Sequence, residues 1–396
     1  MATILLTWEL GSGSGHLIEL MPIATSLVRR GHRVFAAVRD LSRAAEVFGQ
    51  TLVRFLQAPI KIGPPRVEFR PPMTLAHILN NIGFSGSVEL TARWEAWQAI
   101  LEYVKPDLML CDHSPTALLA ARGGNFKRAV IGSGFLCPPD QHPLPNLRFW
   151  HSADLEQLRR DEDRILQNIN AVLDGQGLAP LTHITRMYAD ADETFLVTVR
   201  ELDHYPERPA SKYWGAWTRA SGKAPAWPSG QGPKIYAYLK SFKALPDLLD
   251  QLNQWKYPTL IYPDGIEPTT RERFRSSTLR FEDQRLDIAE VGRQCDLAIL
   301  NGTHGTTMSL LMAGKPTMQI PINLEQGLVA HAVKQMGAGL AAPEAQPKPI
   351  IERIQEMLGS DRFTAAAQRF AAKYAQVDPV RQNEMLVDRV EELLAS

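Results

Sequence analysis

The chain has 396 residues, 43 Lys and Arg against 43 Asp and Glu, and 44% hydrophobic residues. That length exceeds one ordinary core and predicts two domains, while the balanced charge gives no ground for a nucleic-acid or anionic-membrane partner. No apolar run is long enough to span a bilayer, Met1–Trp8 lacks the length and basic flank of a secretory signal, and Cys111, Cys137 and Cys295 are too few for a disulfide framework and lack metal-ligand spacing, so the expected location is the cytoplasm.

Thr3–Thr7 reads as a strand, followed by the turn Gly11-Ser12-Gly13-Ser14-Gly15-His16. Leu17, Leu20, Met21, Ala24, Leu27 and Val28 then form one apolar stripe at helical spacing. Arg33–Val38, Leu108–Cys111, Ala129–Ile131 and Thr194–Thr198 read as further strands, and Leu75–Tyr103 as one or two helices. Residues 205–232, dense in Pro and Gly, read as an interdomain linker region. The second half restarts with strand Ile235–Leu239, helix Leu245–Trp255, strands Thr259–Tyr262, Leu279–Phe281, Leu297–Leu300 and Pro316–Pro321, and helices Ile350–Leu358, Phe363–Tyr374 and Val380–Leu394. Strands alternating with helices in both halves predict an α/β protein of two doubly wound domains facing a central cleft.

Two regions carry candidate chemistry. The first glycine turn is no dinucleotide fingerprint, because His16 stands where the third glycine belongs. The glycines deliver His16 to the first turn of a helix at the carboxyl edge of the sheet, where open α/β sheets bind ligands. A lone histidine there is more often a cap. Asp112, however, ends a strand at the same edge, and an imidazole oriented by a carboxylate is a general base. The second region is Asn301-Gly302-Thr303-His304-Gly305-Thr306-Thr307, a small-residue turn between a buried strand and a helix. That arrangement presents backbone N–H groups to an anion. Met73, Phe84, Trp94, Trp97, Phe135 and Phe149 are the candidates for an apolar pocket, although at least half of such aromatics belong to the core. Phe84 and above all Phe135, in a Gly-Ser-Gly turn after a strand, are taken forward.

Gly15-His16-Leu17-Ile18, Pro22, Ala24–Leu27 and Arg30-Gly31-His32-Arg33-Val34 resemble the N-terminal signature of the UDP-glycosyltransferase superfamily. Cys295-Asp296 through Pro316, and on to Glu325-Gln326, resembles its donor-binding signature. The resemblance implies a GT-B fold: an acceptor-binding Rossmann-like domain over 1–204, the linker region 205–232, a donor-binding Rossmann-like domain over 233–377, and a C-terminal helix, 378–396, packed back on the first domain. It implies that His16 is the base and Asp112 its orienter, that Gly302, Gly305 and Thr306 hold the diphosphate, and that Glu325 and Gln326 read sugar hydroxyls. Four positions depart from the family: Asn301 replaces a histidine, Thr303 a glycine, Ser309 a ribose-binding glutamate, and Lys240 a strand-end glycine, and Asn301 and Ser309 are kept with Lys240 as expected donor contacts. Lys240 and His304 are therefore expected to supply the missing positive charge on the diphosphate. The nucleobase segment falls somewhere in Phe281–Val291, where only Phe281 and Gln284 suggest themselves. The implied activity is inverting, metal-independent transfer of a hexose from a UDP- or dTDP-sugar co-substrate, without a further cofactor, to a small hydrophobic hydroxylated acceptor such as a natural product. The protein acting would be a monomer or homodimer. A nucleotide-sugar hydrolase or epimerase of the same fold, and a non-catalytic nucleotide-sugar-binding protein, stand as alternatives.

Overall fold

The computed structural model describes residues 1–11, 15–65, 67–215 and 222–396. Ser12, Gly13 and Ser14 of the first glycine turn, and residues 216–221 of the expected linker, thus lie outside the described residues. The chain divides into two compact units, one of Met1–Val199, Tyr205–Trp217 and Val380–Ser396, the other of Arg200–His204 and Thr218–Pro379.

In the first unit the elements run β1 (Thr3–Trp8), α1 (Gly15–Arg29), β2 (Arg33–Val38), α2 (Leu41–Phe48), β3 (Arg54–Gln57), α3 (Leu75–Leu79), α4 (Ser87–Val104), β4 (Leu108–Asp112), α5 (Pro115–Ala120), β5 (Lys127–Gly132), α6 (Leu155–Gly175), α7 (Arg186–Ala189) and β6 (Glu193–Leu196). All strand pairs are parallel, in the order β3-β2-β1-β4-β5-β6. β1 and β4 are buried along their whole length, which explains their unbroken apolar runs: strands covered on both faces do not alternate. Of the one or two helices expected over 75–103 the structure has two, parted by a π-turn, Asn80–Phe84, in which Gly83 takes φ 114° against the Arg93 guanidinium. Within this unit Tyr213 pairs with Leu196, and Trp214 meets Phe195 edge-on at 5.0 Å, so the opening of the Pro/Gly-rich region continues the sheet edge.

The last helix, α15 (Pro379–Ala395), also belongs here along all but its first residue. Leu386, Val387, Val390 and Leu393 enter the same core as Leu20, Ile23, Ala24 and Leu27 of α1. Arg30 fastens the pair through Glu384, Asp388 and Glu391, at 2.6–2.7 Å. The Arg30-Gly31-His32 motif is thus structural, and its histidine joins the same seam, His32 Nε2 lying 2.9 Å from a Glu391 carboxylate oxygen.

The second unit runs β7 (Ile235–Lys240), α8 (Leu245–Trp255), β8 (Thr259–Asp264), α9 (Pro268–Phe274), β9 (Leu279–Phe281), α10 (Ile288–Gln294), β10 (Leu297–Leu300), α11 (His304–Met312), β11 (Thr317–Gln319), α12 (Leu324–Gln335), β12 (Gly339–Ala341), α13 (Pro347–Leu358) and α14 (Arg362–Lys373). Its parallel order, β12-β11-β10-β7-β8-β9, is that of the first sheet restated in its own strand numbers. Asp287 caps α10 and Asn323 caps α12 by accepting a backbone N–H of the first turn. Both sheets therefore have the doubly wound order in which the strand direction of progression reverses once, between β1 and β4 and between β7 and β10. Among the described residues no helix is long and apolar enough to cross a membrane.

Candidate functional site

In the first unit the reversal point holds the histidine and the aspartate. β1 and β4 pair in a register that sets Trp8 beside Asp112, so whatever follows Trp8 emerges next to that carboxylate. His16 is the second residue of α1, and its Nδ1 lies 2.9 Å from Asp112 Oδ2. The Asp112 side chain is 3% exposed and the imidazole 20%. A carboxylate at Nδ1 fixes the tautomer with the proton on that nitrogen and leaves Nε2 as the basic atom. His113, next in sequence, stacks on His16 with ring centroids 4.7 Å apart and lies 6.2 Å from the Phe135 ring. Trp8 stacks with His16 at 5.6 Å. Phe135 is therefore beside the pair. Phe84 is not a pocket wall: it is fully buried beneath the Arg93 guanidinium, which stands 5.8 Å from its ring, and it offers a ligand no surface. Trp97 is equally enclosed.

Gly11 has a sharper role than a generic turn residue. Its φ is +90°, and a Cβ there would stand 2.7 Å from His16 Nε2. Gly11→Ala is expected to cost about 1–3 kcal/mol through its left-handed backbone and to push the imidazole off Asp112. An NMR titration of the His16 ring checks this, since a ring that still titrates as in the parent protein would contradict it. Gly11 was legible as the first glycine of the turn before His16, whereas Trp8 and His113 were open to sequence reasoning only as neighbours of two strand ends.

The reversal point of the second unit gathers the other candidates at the carboxyl ends of β7, β10 and β11. Asn301 is 1% exposed. Its Oδ1 accepts the Lys240 N–H at 2.6 Å and its Nδ2 donates to the Ile320 carbonyl at 2.8 Å. The side chain ties three strand ends together, which corrects its expected role as a donor contact: both polar atoms are already engaged inside the sheet. Gly302 has φ +85°, and an added Cβ would meet the Gln326 carbonyl at 2.7 Å, so the turn rests directly on α12. His304 opens α11 and is 8% exposed. Burial, helped by the His204 ring 5.7 Å away, pushes it down to about 3 despite Asp203, so the imidazole is neutral at ordinary pH. With the protein's own groups alone around it, His304 thus carries no charge with which to replace the missing cation. Lys240 remains the one of the two that can, with Nζ 3.5 Å from Asp264 Oδ2 and a quarter of the side chain exposed.

Gly305 and Thr306 are half-buried in the first turn of α11, and the Ser309 hydroxyl donates back to the Gly305 carbonyl at 2.8 Å. Glu325 is half-buried in the first turn of α12. Gln326 is buried, its Oε1 accepting the Ile322 N–H at 2.9 Å, which braces the turn before the helix. Phe281 and Gln284 sit apart from these residues in sequence and line a cavity of about 680 Å³ together with Lys223, Trp227 and Arg280.

No protein-family model matches the chain. It is similar to a rhamnosyltransferase of PGL/p-HBAD biosynthesis from Mycobacterium bovis, 26% identical over 305 residues that cover 71% of this chain and 67% of the relative. A PGL/p-HBAD biosynthesis glycosyltransferase from Mycobacterium tuberculosis is 25% identical over 301 residues, 69% of this chain and 68% of that one. Among solved structures, the calicheamicin glycosyltransferase CalG4 superposes with a TM-score of 0.73 at 17% identity, covering 100% of this chain and 98% of the other. The spinosyn rhamnosyltransferase SpnG superposes at 0.68 and 16% identity, covering 98% and 100%. The glycosyltransferase VinC, solved in complex with dTDP, superposes at 0.69 and 15% identity, covering 98% and 99%. With two six-stranded parallel sheets of one strand order, the chain has the GT-B fold, and over most of its length it is similar to glycosyltransferases.

Proposed function

We propose that the protein is an inverting, metal-independent glycosyltransferase that moves a hexose from a nucleotide-diphosphate sugar to a hydroxyl of a small hydrophobic acceptor. The observation that carries this reading is the 2.9 Å contact between His16 Nδ1 and Asp112 Oδ2 at the reversal point of the first sheet. His16 Nε2 takes the acceptor proton as the hydroxyl oxygen attacks the anomeric carbon from the face opposite the leaving group. The C–O bond to the diphosphate breaks, its electron pair leaving on the phosphate oxygen, and Asp112 stabilises the imidazolium that forms. N–H groups at the start of α11, the Thr306 hydroxyl and the Lys240 ammonium are suited to the charge that develops on the diphosphate. Glu325 is suited to accept hydrogen bonds from sugar hydroxyls. A curated relative and the structural neighbour SpnG are named as rhamnosyltransferases and VinC was solved with dTDP, which makes dTDP-rhamnose the first donor to test, ahead of UDP-sugars.

The test is release of nucleoside diphosphate from dTDP-rhamnose and UDP-glucose, with and without a panel of phenolic and macrolide alcohols, in the presence of EDTA. Acceptor-dependent release with formation of a glycoside of inverted configuration supports the reading. Release without acceptor supports a hydrolase, and binding without turnover a non-catalytic role. In the same system Lys240→Ala should weaken dTDP or UDP binding by about 1.5–3 kcal/mol if its ammonium contacts the diphosphate. Titration calorimetry reads this directly, and unchanged affinity would leave Lys240 as a partner of Asp264 alone.

A further inference from the structure

We propose that Glu9 is a positioning residue for the His16–Asp112 pair, its carboxylate pinning the turn that follows Asp112 to the end of the strand that leads to His16. The inference rests on the reading of His16 as the base. Glu9 follows β1 directly and is 2% exposed. α5 begins at Pro115, which has no N–H, so its first two backbone donors are Thr116 and Ala117. Glu9 takes both: Ala117 N–H donates to Oε1 at 2.5 Å and Thr116 N–H to Oε2 at 3.3 Å. The backbone adds to the seam, with Leu10 N–H and Glu9 N–H donating to the His113 carbonyl at 3.1 and 3.4 Å. His113 Nδ1 also lies 3.2 Å from the Leu10 carbonyl.

The turn needs such a hold. His113 adopts φ 49°, a left-handed conformation that a residue with a Cβ keeps only when its surroundings enforce it. It stands between Asp112 and the helix that Glu9 caps, with its ring against His16. Release of the cap frees the turn to relax, and the direction of the Asp112 carboxylate changes with it. Thr116 and Ala117 are fully buried, so water cannot take over the two N–H groups.

Burial pushes the Glu9 carboxyl up to about 7, against lowering by the Ala117 and Thr116 bonds and by the Arg93 guanidinium of α4. A folded value above the ordinary one means that this group's contribution to stability is fully present below the ordinary carboxyl value and is lost as pH rises toward 7, so ionised Glu9 favours the fold less than protonated Glu9. The charge of Glu9 also acts on the Cys111 thiol of β4 and the Tyr188 hydroxyl of α7; burial pushes the thiol up to about 12 and the phenol well above its usual value. Glu9 is thus the member of this cluster that changes charge near neutrality.

Glu9→Gln tests the proposal: it keeps the size, leaves one oxygen for two N–H groups and sets an amide NH₂ against the other. The His16 ring is titrated by NMR in the parent, Glu9→Gln and Asp112→Asn proteins, and kcat, donor KM, the pH profile and the melting temperature at pH 8 are measured on the same samples. The expected result is a His16 midpoint displaced toward that of Asp112→Asn, and a kcat lowered about ten- to a hundred-fold at unchanged donor KM. The acid limb of log kcat should fall with a slope of one where the parent falls more steeply, and because one buried N–H loses its acceptor the melting temperature should drop, so kcat is compared at a temperature where both proteins remain folded. A His16 titration identical to the parent overturns the proposal, as does a loss of kcat that disappears at that temperature. Should Glu9→Gln not fold, Glu9→Asp, which keeps the charge but shortens the reach, is expected to displace the His16 midpoint part of the way, and an unmoved midpoint overturns the proposal equally. The NMR titration needs no turnover, so a parent protein that transfers no sugar defeats the reading of His16 as a base without deciding the role of Glu9.

Discussion

His16→Ala should lower transfer to hydroxyl acceptors by roughly 10²–10⁴-fold, the range for a positioned general base. The fold should survive, because His16 lies in the first turn of α1 with its ring partly exposed, and α1 is held by Leu17, Leu20, Ile23, Ala24 and Leu27 in the core. Affinity for nucleoside diphosphate should also survive, since the candidate diphosphate contacts belong to the second unit. Asp112→Asn separates orientation from charge. The amide can still meet His16 Nδ1, yet it no longer stabilises an imidazolium and permits the opposite tautomer, so a severe loss is expected there too. With parent protein, log kcat should fall on the acid side as the base becomes protonated. Steady-state kinetics at saturating donor decides the matter. A His16→Ala protein that works at the parental rate would reduce the pair to a structural bond and leave the fold without its chemistry.

Asn301→Ala should destabilise the second unit by about 1–4 kcal/mol, because a buried carbonyl loses its partner at a cost of about 1–3 kcal/mol and a half-buried N–H loses its own at a smaller cost. The orphans would be the Lys240 N–H and the Ile320 carbonyl, at the ends of β7 and β11. Asn301→Asp retains the acceptor for Lys240 but sets a carboxylate oxygen against the Ile320 carbonyl, so it should be nearly as damaging. Urea unfolding measures both. The consequence reaches the site, since Asn301 leads straight into the Gly302 turn, whose backbone lies against α12. Nucleoside diphosphate affinity should therefore fall together with stability. A change below about 1 kcal/mol in unfolding free energy would show that the three strand ends do not depend on this side chain, and Asn301 would again be available as a ligand contact.

Much of the architecture is legible from the sequence, for identifiable reasons. Strands such as Leu297–Leu300 and Arg33–Val38 are short apolar runs between turn residues, and helix Leu245–Trp255 carries a regular apolar stripe, so local pattern alone determines them. β3 and β12 escape such reading because neither is an apolar run: β3 sets Phe55 and Leu56 between exposed Arg54 and Gln57, and β12 opens on Gly339 with Leu340 and Ala341 only half-buried. α6 escapes because its exposed face is crowded with charge, although Leu158, Ile165, Ile169 and Val172 mark its buried side. The residue types of the site were likewise local: a histidine after a glycine turn, an aspartate at a strand end, a Gly-Thr turn before a helix. What only the tertiary structure decided is which of them meet and in what charge state. The register of β1 against β4 sets His16 at Asp112, the neighbouring strand ends turn Asn301 from an apparent lost ligand into a bracket, and burial makes His304 neutral and lifts Glu9 toward 7. Hydrogen-bond partners and desolvation are properties of the packed environment, which residues distant in sequence create, and so no local pattern encodes them.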